Sequence, residues 1–236
     1  MSDAAAGSAP AHGTVARVPP MQPGVTGSEP PDLAYLFVSC LAPNVGLTDS
    51  DYQKAADALK VEVAAVKAVA AVESKLASFD DTGRPTVLFE RHYFHKFTHG
   101  KFDATAPDIS KKSAGGYGKY SAQYDKIARA FALSQDAALL SASWGRFQIM
   151  GANYREAGHS SVREFVLAMT RSDFEQLTAF VNFVRSDKKR LKALQEKNWA
   201  SFAKYYNGKN FKVNKYDEKL KAEYEKLASP TMPPKK

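Results

Sequence analysis

Val61-Glu62-Val63-Ala64-Ala65-Val66-Lys67-Ala68-Val69-Ala70-Ala71-Val72-Glu73 is the stretch on which the fold turns. Its valines alternate with alanines so that nearly every side of a helix is apolar, which suits a helix sunk in the centre of a domain. After Lys67 the next charge is Glu73, at the last turn. Burial among valines and alanines strips a carboxylate of its hydration, and the partial negative charge of a helix C-terminus opposes a second negative charge. Both effects raise the pKa of Glu73. A carboxylic acid still protonated near neutral pH is a proton donor.

Working outward, Leu47-Thr48-Asp49-Ser50-Asp51 reads as a helix start with Thr48 as N-cap, and Tyr52, Ala55, Ala56 and Leu59 then mark one face. Residues 1–32 are rich in Ala, Gly, Pro and Ser and read as a disordered leader. A domain is expected over 33–227, opening with a short helix before Pro43, and a flexible basic tail over 228–236. Downstream of Glu73, Ser78 to Pro85 is turn-rich and Thr86 to Glu90 is a β-type run, which together predict a small hairpin or three-stranded ribbon. His92 to Thr98 reads as helix, stopped by Gly100. Residues 100–118 read as a surface loop, and everything from Tyr120 onward reads as helix. The fold class expected is α+β, mainly α.

The formal charge of the 236 residues is +8, and it is uneven: Arg185 to Lys236 holds 15 Lys and Arg against 6 Asp and Glu. Such a tail attracts polyanions of any kind, so charge alone does not choose a partner. No run approaches the roughly 18 to 20 apolar residues of a membrane span. Asp3 stands where a secretory signal carries basic residues, and no apolar segment follows, so no signal peptide is readable and synthesis in the cytoplasm is expected. The single cysteine, Cys40, excludes an internal disulfide or a CxxC pair. His95 and His99 have ligand spacing, but there is no HExxH and no further ligand set, so no metal is expected. No glycine motif for a nucleotide is present, and no cofactor is expected.

A protonated Glu73 is what glycosidic cleavage requires, because the leaving oxygen must take a proton as its bond to the anomeric carbon breaks. Asp80 and Asp81 follow closely, and a hairpin folded over the helix end would bring one of them across a cleft. A separation of about 6.5–9.5 Å means inversion and about 5–5.5 Å retention.

Three further pieces then carry a resemblance: Val72-Glu73-Ser74, Gly83-Arg84-Pro85-Thr86-Val87-Leu88-Phe89-Glu90-Arg91-His92-Tyr93-Phe94, and Ser143-Trp144-Gly145-Arg146-Phe147-Gln148-Ile149-Met150-Gly151 with Asn153-Tyr154. In this order they resemble the N-acetylmuramidase family found in endolysins of phages of Gram-negative bacteria. The similarity spans about Leu33 to Leu227. The resemblance implies a lysozyme-like fold with a small β-ribbon beside the catalytic helix, and a hydrolase acting on the β-1,4 bond between N-acetylmuramic acid and N-acetylglucosamine.

Glu73 would then be the general acid, Asp81 would manage water or oxocarbenium charge, and Thr98 would help hold that water. Thr82 stands between Asp81 and Gly83, so Asp80 stays open for the second role. Gln148, on a short helix, resembles a cleft-facing Gln of several lysozyme-like families. Glu90 and His92 are candidates for orienting Glu73 or binding sugar, with a structural pair as the alternative, and Tyr205 and Tyr206 are candidates for stacking on a pyranose ring. The implied partner is the peptidoglycan glycan strand, with an anionic envelope polymer as a candidate for the basic C-terminal region. No specific nucleic acid is implied, and a monomer is expected. Action in the periplasm would follow holin-type release or injection. The rivals are a lytic transglycosylase giving 1,6-anhydro products and a non-catalytic basic module that binds polyanions.

Overall fold

The computed structural model describes residues 46–73, 77–208 and 211–229. The leader, the domain boundary at residue 33, the short helix before Pro43 and most of the basic tail lie outside the described residues. Ten α-helices are described: α1 Asp49–Leu59, α2 Val63–Glu73, α3 Arg91–Phe97, α4 Gln123–Leu133, α5 Gln135–Leu140, α6 Val162–Arg171, α7 Asp173–Ser186, α8 Lys188–Gln195, α9 Trp199–Asn207 and α10 Tyr216–Ala228. Three short strands, β1 Val87–Phe89, β2 Ala142–Trp144 and β3 Ile149–Met150, complete the set.

Thr48 starts α1 through a reciprocal cap, its hydroxyl accepting from the Asp51 amide at 3.2 Å while the Asp51 carboxylate accepts from the Thr48 amide at 2.9 Å. Two orphan amides are thereby satisfied. The chain leaves α1 through Lys60 in a left-handed conformation and enters α2 two residues later than the apolar run suggests. Ala65, Val66, Ala68, Val69 and Ala70 of α2 are buried. Helix α10 lies along α2 and α1 packs against it as well, so the most apolar helix of the chain is enclosed as its composition requires.

The sheet departs from expectation in its partners. Residues 78–86 fold back with a single bridge, Phe79 to Pro85. The strands beside β1 come from residues 142–150, where a helix is expected. Val87, Leu88 and Phe89 pair antiparallel with Trp144, Ser143 and Ala142, and Ser143 and Trp144 pair with Met150 and Ile149. The cause is the turn between β2 and β3. Gly145 has φ +69°, and a Cβ there would lie 2.5 Å from the Gln176 side chain. Gln176 is buried and accepts a hydrogen bond from the Arg146 amide at 2.6 Å, while Arg146 Nε meets the buried Asp173 carboxylate at 2.8 Å. These bonds tie the turn to α7. Trp144 closes the arrangement by donating from Nε1 to the Leu139 carbonyl at 3.1 Å.

Candidate functional site

A cleft of about 1130 Å³ is lined by the end of α2, the exit of β1, the β2–β3 turn, the 113–120 loop and the ends of α7 and α9. Glu73 is the last residue of α2 and lines it. The residue as a whole is half-buried, but its carboxyl lies deep enough that lost hydration dominates and pushes its pKa up to about 7. The Tyr216 hydroxyl, from the first turn of α10, donates a hydrogen bond to Glu73 Oε1 and pulls the other way by stabilising the carboxylate. Tyr216 is itself held well above the usual phenol range, first by burial and then by Glu73. It therefore stays a donor. Tyr206 of α9 lies parallel to Tyr216, with ring centroids 6.5 Å apart and planes 7° apart, and donates to the Phe147 carbonyl at 2.8 Å.

Glu90 and His92 sit where β1 passes into α3, and both line the same cleft. His92 Nδ1 is 3.2 Å from Glu90 Oε2. Burial pushes the Glu90 carboxyl up, opposed by His92 and by a hydrogen bond from Tyr117. Glu73 and Glu90 thus both line the cleft, together with Glu156 and Asp187.

The other sequence-derived candidates fall in three groups. Gln148 lines the cleft, but it stands at φ +46° in the β2–β3 turn and not on a helix. Its amide donates to the Gly145 carbonyl at 2.9 Å and accepts from the Ser143 hydroxyl at 2.9 Å. Much of its hydrogen-bonding capacity is spent holding the turn. Tyr205 lines the cleft and is half-buried, whereas the Tyr206 ring packs on Phe180, Phe183 and Phe202 and builds the wall.

Asp81 and Thr98 are not among the lining residues. Asp81 is exposed in a turn that Asp80 knits, Asp80 Oδ1 accepting from the Thr82 amide at 2.9 Å and the Arg84 amide at 3.0 Å. Thr98 ends α3 and its hydroxyl donates to the Phe94 carbonyl at 2.7 Å. Ser74 lies outside the described residues. Of the spaced histidines, His95 Nδ1 is 2.7 Å from Asp103 Oδ2, and His99 is exposed.

Sequence reasoning missed Tyr216, Tyr117, Tyr120 and Arg190, all on or at the site. Arg190 is buried at the α9 end of the cleft, where its guanidinium lies 3.5 Å over the Phe183 ring and donates to Ser186 Oγ at 3.0 Å. Neither an aromatic in a lysine-rich helix nor an arginine in a Lys-Lys-Arg run stands out from its neighbours in the sequence.

A carboxyl raised by burial at the end of an apolar helix, lining a cleft beside a small sheet, is the arrangement of a lysozyme-type glycoside hydrolase. The N-acetylmuramidase family model matches residues 62–228, from the residue before α2 to the last residue of α10, and the chain belongs to that family. It is a peptidoglycan muramidase. Among solved structures the chain is similar to the crystal structure of the Burkholderia AP3 phage endolysin, at 43% sequence identity and a TM-score of 0.72, over 79% of this chain and 73% of that one. No curated protein matches the chain.

Proposed function

We propose that the chain lyses cell walls by hydrolysing the β-1,4 bond between N-acetylmuramic acid and N-acetylglucosamine, with Glu73 as general acid. The observation that carries this reading is a cleft-lining carboxyl raised to about 7 by burial. Below that pH Glu73 holds the proton that the glycosidic oxygen must receive. As the proton leaves, the Tyr216 hydroxyl is already aimed at the carboxylate that forms, so stabilisation is in place without reorganisation. The C–O bond breaks, water attacks the anomeric carbon, and that water's proton passes to a base.

For the base we favour Glu90, because among the carboxyls that line the cleft with Glu73 it is the one paired with His92, while Asp187 is occupied in capping α8. Asp81, and Thr98 as its partner on the water, remain the alternative drawn from the family pattern. The test is mass spectrometry of digested sacculi. Hydrolysis gives reducing ends one water heavier than 1,6-anhydro ends, and a digest dominated by anhydro ends assigns the chain to the lytic transglycosylases instead.

Similarity to a phage endolysin supports delivery to the periplasm after release through a membrane lesion, and no described helix is long and apolar enough to cross a membrane. We propose action as a monomer. An attachment role for the basic C-terminal region would fall on the cations that carboxylates do not already pair, since Lys192, Lys197, Lys215, Lys221 and Lys226 each meet a glutamate.

A further inference from the structure

Among the described residues, the large hydrophobic side chains left exposed are Tyr117, Tyr120, Leu133, Phe174 and Leu227. Two of these five, Tyr117 at 37% and Tyr120 at 54% exposure, line the cleft. Both stand on residues 113–120, a stretch without strand or α-helix.

That stretch is pinned from behind by side chains that donate to its carbonyls. Arg91 donates to Ser113 and Ala114, each at 3.2 Å. Lys126 Nζ donates to Gly116 at 2.6 Å and Tyr117 at 2.7 Å. The buried Gln123 donates to Tyr117 at 2.7 Å and Lys119 at 2.9 Å, while its Oε1 accepts from the Phe89 amide of β1 at 2.9 Å. The backbone at Gly116 approaches Arg91 so closely that a Cβ there would lie 2.6 Å from the guanidinium, at φ +71°. A loop on the surface is thus coupled to the sheet that builds the site. Fixing the backbone that carries two exposed rings before a ligand arrives removes much of the ordering cost that a free loop would pay on binding.

The rings carry no charge and present flat apolar faces edged by hydroxyls, which matches the apolar face and hydroxyl rim of a pyranose. The Tyr117 hydroxyl acts on Glu90, opposing the rise of its pKa, so the platform begins beside that carboxyl and extends to the more exposed Tyr120.

We propose that Tyr117 and Tyr120 form an outer sugar subsite, which takes a pyranose ring of the glycan strand beyond the bond that is cut and makes turnover rise with glycan length. This rests on the muramidase reading above. Remote contacts of this kind supply binding energy that short substrates lack.

The test uses the full chain on uncross-linked glycan strands of about four and about eight sugars and reads the ratio of kcat/KM, long over short. Wild type, Tyr120→Ala, Tyr120→Phe and Phe174→Ala are compared, each checked for folding by circular dichroism. Phe174 is an exposed aromatic outside the cleft lining. The ratio is expected to fall about 2- to 10-fold in Tyr120→Ala, chiefly through KM, and to hold in Tyr120→Phe and Phe174→Ala. An unmoved ratio in Tyr120→Ala overturns the subsite, as does an equal fall in Phe174→Ala. A loss shared equally by long and short strands also overturns it, since Tyr120 would then support the site as a whole and not bind a distant ring. Should wild type cleave neither strand, the muramidase reading itself falls and the subsite with it.

Discussion

Replacing Tyr216 by Phe removes one hydroxyl from the site and leaves the packing of α10 on α2 intact. That hydroxyl donates to Glu73 in both protonation states, but the bond to the carboxylate is the stronger. A hydrogen bond to a charged group contributes about 1.5–3 kcal/mol against about 0.5–1.5 kcal/mol for a neutral one. The difference, about 1–1.5 kcal/mol, corresponds to about one pH unit. With burial raising the pKa of Glu73 to about 7, activity should fall as pH rises through that value. In Tyr216→Phe the carboxylate is less stabilised, and the same fall should come about one pH unit higher.

The plateau below the fall should drop about 3- to 10-fold, because the carboxylate forming in the transition state has lost its donor. The assay is release of reducing ends from soluble uncross-linked glycan between about pH 5 and pH 9, with kcat and kcat/KM profiled separately. Tyr206→Phe is the control: its hydroxyl serves the Phe147 carbonyl, so its alkaline limb should stay where wild type has it. An alkaline limb that stays put or moves to lower pH in Tyr216→Phe refutes the reasoning, whatever happens to the rate.

Glu73→Gln should abolish lysis of outer-membrane-stripped Gram-negative cells, by about 10²-fold or more, while raising stability at alkaline pH. The sign follows from linkage: folding raises this pKa from 4.5 to about 7, so native stability is fully present below 4.5 and is lost as pH rises to 7, by roughly 2–3 kcal/mol. The melting-temperature gain of the Gln variant should therefore be larger at about pH 8 than at about pH 4, and an equal gain at both would contradict the burial argument. Glu90→Gln should cost about 10²-fold in kcat and flatten the acid limb of the profile, with Asp81→Asn near wild type; the reverse ranking returns the second role to Asp81. Asp80→Ala strips four hydrogen bonds from its turn and should lower the melting temperature by about 2–8 °C, whereas Asp81→Ala should change it little. Calorimetry showing the two equally destabilising would mean that the turn is held by something else.

The position of Glu73 in the cleft is legible in the sequence because one physical signal marks it: a carboxylate closing a helix that is apolar on nearly every side. The Thr48 cap, the helix at 91–97 and the irregular stretch over 100–118 are legible for similar local reasons. The β2–β3 hairpin is not. Its strands are three and two residues long, too short for an alternation to register, and its turn depends on Gln176 and Asp173, some thirty residues downstream. The same hidden turn explains Gln148, read as helical but placed by a left-handed backbone. The turn at 80–84 is also hidden in part: Asp81 fits a family pattern by spacing, while the side chain that makes the hydrogen bonds of that turn is its neighbour Asp80. Tyr216 lies 143 residues from Glu73, and no periodicity connects positions so distant.

That separation gives the enzyme a temporal property. A ribosome delivers Glu73 early and α10 near the end of the described chain, so a nascent polypeptide carries its proton donor for most of its synthesis without the helix that covers and tunes it. Chains abandoned by stalled ribosomes or clipped between α9 and α10 lack the hydroxyl that meets Glu73 and the helix that lies along α2. For protein engineering the corollary is positional: a fusion joined beyond Ala228 leaves α10 in place, and one inserted ahead of Tyr216 should separate Glu73 from its hydroxyl donor while sparing every residue that the sequence alone would nominate.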